Sequence, residues 1–353
     1  MSESTAPHRY PRGWFPVGLS TEVPTGEIKS VHYFGRQMIV YRGEDGVARI
    51  SDAYCPHLGA DIGVGGKVED NCVRCPFHAW KFGPDGACVE VPYAKRIPPR
   101  ARIGSYPVDE CNGFIFVWND PDGGAPDYQI PRLSEWDDPT WNRWNPQRLE
   151  IKTHPREIVE NVADKAHFAP IHGTHIDVFA NEYNGYEAVQ IIEGVAYPRG
   201  GGKDYFKSRT TYYGPSFQIS AMDGYLQNKI VNCHTPIGPN SLHLWFGVML
   251  QVKPGGDKKQ TEQFQEQYAN NLLVGFKEDI AVWEHKVYVE KPILCDGDGK
   301  LGPLRHWYQQ FYESKAPQAA DPIGPNARLE RDTAIGGSCP GQRGKEATMP
   351  PEA

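Results

Sequence analysis

No apolar run in this chain is long enough to cross a bilayer. Trp245–Val252, the greasiest stretch in 353 residues, falls far short of the roughly 20 apolar residues that a spanning helix needs and reads as a buried strand. A basic tract is also missing. The 37 Lys and Arg against 44 Asp and Glu give a net charge of −7, which argues against nucleic acid as a partner. The opening MSESTAPHRYPRGW lacks the apolar core of a secretory signal. Cys72, Cys88, Cys111, Cys233, Cys295 and Cys339 show no framework spacing and read as mostly small core residues, so a reducing, cytoplasmic setting is expected. There is no internal repeat. Gly200-Gly201-Gly202 precedes no helical pattern, so a dinucleotide fingerprint is lacking too.

Two short clusters carry most of the information. Cys55-Pro56-His57 and Cys75-Pro76-Phe77-His78 offer two thiolates and two imidazoles in matched pairs, separated by seventeen residues. Such ligands suit zinc or iron–sulfur rather than calcium or magnesium. A closed zinc site could use the same four groups. A Rieske [2Fe–2S] centre gives both cysteines to one iron and both histidines to the other. Zinc fingers usually pair like with like, whereas each cluster here mixes one Cys with one His, and that alternation favours the Rieske reading. A disulfide between Cys55 and Cys75 would leave the histidines unexplained. Pro56 and Pro76 stiffen the two loops, and Gly59, Gly63, Gly65 and Gly66 let the connecting chain turn tightly.

The organisation is that of an α+β protein of two domains. Residues 13–120 read as all-β, with a hairpin around Glu44-Asp45-Gly46 and strands at Ala87–Pro92 and Gly113–Trp118. A Pro/Gly/Asp segment, Asp120–Tyr128, marks a boundary. Residues 130–314 read as a helix-flanked antiparallel sheet, with strands at Arg148–Thr153, Tyr205–Tyr213, Ser216–Met222, Lys229–His234 and Leu242–Lys253. One helix opens at Pro155 and a long one is expected over Thr261–Tyr288. The tail, 315–353, has almost no large apolar side chains and is expected to be disordered.

A second metal site is readable in the helix after Pro155. Asn161, Asp164 and His167, three apart, are expected on one helix face, with Ile158, Val162 and Ala166 on an apolar one. Pro170 is expected to break the helix and turn His172, or else His175, toward His167. A 2-His-1-carboxylate site still needs an acid. In the long helix Phe276, Ile280, Trp283 and Val287 line one stripe, which places Asp279 at its edge and Glu278 opposite. Glu284, on the other flank, is a weaker candidate.

CPHLGADIG and CPFHAWKFGPDG resemble the two cluster loops of Rieske proteins. D-x-x-H-x-x-x-x-H, with a late E-D-x-x-x-W-E helix, resembles the catalytic domain of Rieske non-haem iron oxygenases. VPYAKRIPPRARIGSYPV and HPREIVENVADKAHFAPIHG look closest to the branch of 3-ketosteroid 9α-hydroxylases and sterol 7-desaturases. The resemblance implies that Cys55, His57, Cys75 and His78 hold a [2Fe–2S] cluster, that His167, His172 and Asp279 hold a mononuclear Fe(II), and that Asp164 bridges the two centres. It implies a terminal oxygenase that hydroxylates an apolar, 3-ketosteroid-like substrate with O₂. Electrons would come from a separate NAD(P)H-dependent reductase, with or without a ferredoxin. It also implies a head-to-tail homotrimer in which one subunit's cluster serves its neighbour's iron. Desaturation, or an aromatic substrate, would use the same iron. A Rieske electron carrier would need only the first hundred or so residues, and a zinc-stabilised binding protein would be colourless.

Overall fold

A computed structural model describes residues 9–197, 202–223, 227–252 and 255–314. The tail expected to be disordered, 315–353, lies outside them. The described residues form two compact units. One comprises 21–31 and 37–106, and the other comprises 9–20, 32–36 and 107–314.

The smaller unit is built of hairpins. Arg36–Arg42 and Ala48–Asp52 pair antiparallel around the expected turn. Gly46 takes a left-handed φ of 77° there, and the Asp45 carboxylate accepts from the Val47 N–H at 3.0 Å. Asp45 also takes both terminal nitrogens of Arg49. A second, four-stranded sheet runs through Lys67–Glu69, Cys72–Arg74, Lys81–Phe82 and Cys88–Glu90. The core of this unit is apolar and includes Ile39, Tyr41, Ile62, Val73, Trp80 and Phe82, with Cys55 and Cys75 buried among them.

In the larger unit Gly13–Leu19, Phe114–Asn119 and Val108–Cys111 make a three-stranded sheet, so the first strand groups with the later part of the chain. The main sheet has eight strands, and those from Thr174 to Gln251 form an antiparallel meander. The strands expected over 205–253 are present as Asp204–Tyr213, Phe217–Asp223, Asn228–Gly238 and Ser241–Gln251. A hairpin of Thr174–Asn184 and Glu187–Ala196 was not expected. Asn184-Gly185 at its tip is a strong turn signal, and Gly185 sits at a φ of 55°.

The long helix runs over Lys258–Trp283, earlier at both ends than its periodicity suggested. Asp257 caps it, accepting from the N–H groups of Lys259 and Gln260. At its end the Thr153 hydroxyl donates to the Trp283 carbonyl, and the Glu284 carboxylate accepts the Lys152 N–H. Val287 therefore falls beyond the helix and is 79% exposed, not part of the apolar stripe.

His234, on the central strand Asn228–Gly238, is fully buried, and neither ring nitrogen makes a hydrogen bond. Burial, with a smaller contribution from His154, pushes its pKa down to about 3. The folded protein thus holds this ring neutral where the unfolded chain takes up a proton, below its ordinary value of about 6.5. Stability should fall as the pH drops from about 6.5 toward 3, and His234→Leu should flatten that limb. Urea midpoints measured across this range check it; an unchanged acid limb in the variant would reject it.

Candidate metal centres

The two Cys–His loops fold as copies of each other. In each, the cysteine carbonyl accepts the N–H four residues on, Gly59 or Ala79, and the cysteine N–H donates to the carbonyl five residues on, Ala60 or Trp80. Closing so tight a loop needs a left-handed residue at the fourth place. Gly59 has a φ of 75° and Ala79 one of 60°. This geometry projects both thiols inward, where Cys55 and Cys75 are each 2% exposed. Burial pushes the Cys55 thiol up to about 11; the His57 N–H opposes this and the neighbouring Cys75 thiol adds to it. A thiol so placed ionises readily only beside a strong cation, as iron would be. The His57 and His78 rings meet edge to face with centroids 4.6 Å apart, and His57 Nδ1 is buried without a hydrogen bond. His57 stacks on Trp80 at 4.8 Å, and Trp80 donates its indole N–H to the Tyr93 hydroxyl at 2.8 Å. Two buried sulfurs beside two orientable imidazoles fit a Rieske cluster.

In the larger unit the expected single helix is three pieces: an α-helix Pro155–Glu160, a 3₁₀ turn Asn161–Ala163 and a short helix Phe168–His172. The break falls at Asp164, which is extended, and not at Pro170. Pro170 lies in the first turn of the short helix, where a missing N–H costs nothing. Asp164 and His167 are therefore neighbours through capping, not through a shared helix face: the Asp164 carboxylate accepts the His167 N–H at 3.3 Å. Ala166, expected on the apolar face, is exposed. What makes the break tolerable is the fate of the Val162 carbonyl. It accepts from the Gln190 amide at 2.8 Å and the Asn181 amide at 2.9 Å, both reaching up from the main sheet. On the other side the chain passes so close that a Cβ on Gly299 would overlap the Ala163 carbonyl.

This turn faces the long helix. His167, His172 and Asp279 each bring a ligand atom within 4.8 Å of the others. His172 Nε2 lies 3.2 Å from Asp279 Oδ2, and the carboxylate side chain is only 8% exposed. The His167 and His172 rings stand at 80° to one another, 5.2 Å apart. A buried carboxylate converging with two imidazoles is the donor set of a facial non-haem iron site. Asn161 Nδ2 is 3.2 Å from His167 Nε2. Asp164 Oδ2 is 3.6 Å from His167 Nδ1, too far for a hydrogen bond, and that nitrogen has no other partner. Partial burial would raise the Asp164 carboxyl, but His167 and the local N–H groups hold it below the usual range. Two candidates fall away on geometry. His175 is exposed and meets Asp177 at 3.3 Å, and Glu284 is committed to the Lys152 N–H.

Residues 13–107 match the Rieske [2Fe–2S] domain family, and residues 117–312 match the 3-ketosteroid 9α-hydroxylase C-terminal domain family. The chain belongs to the 3-ketosteroid 9α-hydroxylase family. It is a Rieske non-haem iron monooxygenase and carries a [2Fe–2S] cluster and a mononuclear iron. Among its relatives is a probable 3-ketosteroid-9-alpha-monooxygenase oxygenase component of Rhodococcus rhodochrous, 37% identical over 87% of this chain and 81% of the relative. The corresponding component of Mycobacterium tuberculosis is 34% identical over 87% and 83%. A cholesterol 7-desaturase of Hemicentrotus pulcherrimus is 32% identical over 89% and 72%. Dicamba monooxygenase bound to 3,6-dichlorosalicylic acid shares the fold, with a TM-score of 0.72 at 20% identity over 86% of this chain and 98% of that one. Among the described residues no helix is long and apolar enough to cross a membrane.

Three contributors to this family member's metal turn were not legible beforehand: Gln190, Asn181 and Gly299. The loop symmetry generates a test. Gly59 has open space around its missing Cβ, so Gly59→Ala should cost only the left-handed penalty of about 1 kcal/mol, and Ala79→Gly should relieve a similar amount. Denaturant midpoints for loss of the visible cluster absorption check both. Midpoints that move in the same direction for both substitutions would contradict the loop geometry.

Proposed function

We propose that this chain is the terminal oxygenase of a multicomponent system and hydroxylates an unactivated C–H bond of an apolar, 3-ketosteroid-like substrate. The observation that carries this reading is the converging His167–His172–Asp279 triad on a chain that also holds the paired Cys–His loops. Cys55 and Cys75 hold one cluster iron, His57 and His78 the other, and His167, His172 and Asp279 hold the mononuclear iron. The work divides between residues 13–120 and 130–314. Electrons come singly from a separate NAD(P)H-dependent reductase, directly or through a ferredoxin, and the system operates in the cytoplasm.

Iron held by three side chains supplies the open positions at which O₂ is activated. The protein's own groups do the rest. By closing the 3.6 Å gap to His167 Nδ1, the Asp164 carboxylate would accept the Nδ1–H, fix the tautomer and leave Nε2 for the metal. Asn161 must turn away from Nε2 for this to happen. Asp279, buried on the long helix, balances the metal's charge where water is scarce.

The sheet face beneath the long helix is largely apolar, with few polar groups. Phe246 stacks on Phe276 at 5.4 Å. Asn232, opposite Phe246 in the register, keeps a buried Oδ1 without a hydrogen bond. Around the paired histidines Leu58, Phe77 and Tyr93 are 66, 62 and 61% exposed. Such a ring of apolar side chains at a redox centre suits burial against a neighbouring subunit, as in a head-to-tail trimer. There Asp164 links the His167 of one chain to a cluster histidine of the next.

A second reading, desaturation at the same iron, is favoured by the relationship to the cholesterol 7-desaturase. Mass spectrometry of products formed from androst-4-ene-3,17-dione, with a reductase supplied, separates them. Gain of one oxygen atom is expected, and loss of two hydrogens would favour desaturation. Turnover of aromatic acids alone would contradict both. In parallel, Asp279→Ala should lower metal content from about three irons per chain toward two with the cluster spectrum intact. Iron retained in Asp279→Ala but lost in Glu284→Ala would reassign the carboxylate.

A further inference from the structure

The helix Pro155–Glu160 has a second face, turned away from the metals, and it walls a cavity of about 280 Å³. The opposite wall is the helix Leu301–Gln309 with its following turn. The lining mixes aromatic and aliphatic side chains, Tyr288, Leu304 and Val159 among them, with the polar groups of Arg156, Glu160 and Arg305. The Arg156 guanidinium lies flat over the Tyr288 ring, 3.4 Å from its centroid. Among the described residues its only side-chain hydrogen bond is a long Nε contact of 3.4 Å with Glu157, and Glu157 is already paired with Lys286 at 2.7 Å. Both terminal nitrogens of Arg156 are therefore unspent. Tyr308 and Tyr312, which also line the cavity, meet ring to ring at 5.6 Å, and their buried hydroxyls face each other with no other partner among the described residues. Burial pushes both phenols up, and the nearby Arg156 charge opposes this at each.

One uncommitted guanidinium and a pair of tyrosine hydroxyls that have only each other, beside aromatic walls, are arranged for an oxyanion on a flat apolar body. Arg305, the other cation here, is spent on Glu160 at 2.7 and 3.2 Å and on two backbone carbonyls. It therefore shapes the wall and leaves the recognition to Arg156. We propose that this cavity binds a small aromatic carboxylate, at a site separate from both metal centres. A carboxylate accepts bidentate donation from Arg, and each tyrosine hydroxyl can donate to it. A carboxylate would give the guanidinium and the hydroxyl pair a shared acceptor. The inference does not depend on how the metal centres are read.

Calorimetric titration of the purified, metal-replete protein with benzoate, and with benzyl alcohol as the uncharged counterpart, tests it. Benzoate should bind, and benzyl alcohol should bind at least about tenfold more weakly. Arg156→Gln should weaken benzoate at least about tenfold, and Tyr312→Phe by a smaller factor. His172→Ala should leave the affinity unchanged. No binding heat up to about 10 mM benzoate would overturn the proposal. So would binding that survives Arg156→Gln but is lost in His172→Ala, because that result puts the ligand on the iron. If Arg156→Gln does not fold, as judged by circular dichroism, Tyr312→Phe and the benzyl alcohol comparison decide: equal affinities in both tests reject the site.

Discussion

The chain has to leave helical geometry at Asp164, and much of the larger unit is arranged to let it. A helix continued from Pro155 would spend each carbonyl on the N–H four residues on and would carry His167 past the long helix at whatever angle its axis dictated. Stopping it frees the Val162 carbonyl in a buried position, which costs about 1–3 kcal/mol if nothing takes it up. Gln190 and Asn181 take it up from strands of the main sheet. Gly299 allows the chain on the far side to close over Ala163. With the turn so pinned, His167 and, on the short helix Phe168–His172, His172 face the one buried carboxylate of the long helix.

The other centre solves a different problem, holding two thiols and two imidazoles on short loops. Two copies of one backbone pattern do so, each closed by a left-handed residue. The thiols point into the apolar core while the imidazoles stay at its edge. That division fits a cluster whose sulfur-bound iron is sheltered and whose histidine-bound iron can exchange electrons outward. Trp80 and Tyr93 add a stacked, hydrogen-bonded brace on the outward side.

Features that depend on local spacing could be read from the chain, and those that depend on distant partners could not. The Cys–His loops, the Glu44–Gly46 hairpin and four strands of the main sheet carry their own signals in adjacent residues. Asp279 was separable from Glu278 because a helix stripe fixes direction, and Asp279 is indeed buried beside Leu273 and Trp283. The break at Asp164 was misplaced to Pro170, since a proline looks like a breaker wherever it stands. The true cause, two amides that follow Val162 by 19 and 28 residues, leaves no local trace. The end of the long helix likewise meets partners distant in sequence, Thr153 and Lys152. The hairpin at Asn184-Gly185 has a local turn signal, but its strands alternate poorly.

Asp164 is where the account is most exposed. It is half-exposed, next to a histidine whose Nδ1 waits for a partner, and on this reading it carries the link between the cluster of one subunit and the iron of another. Replacing it by Asn keeps the size but forces an amide donor toward one of two imidazoles that both need an acceptor. Stopped-flow oxidation of the pre-reduced cluster by O₂, with substrate present, is the direct measurement. Asp164→Asn should retain both metals and the oligomer while cluster oxidation slows by orders of magnitude. Oxidation at the wild-type rate in that variant would contradict the bridge and, with it, the electron route on which the proposed function rests.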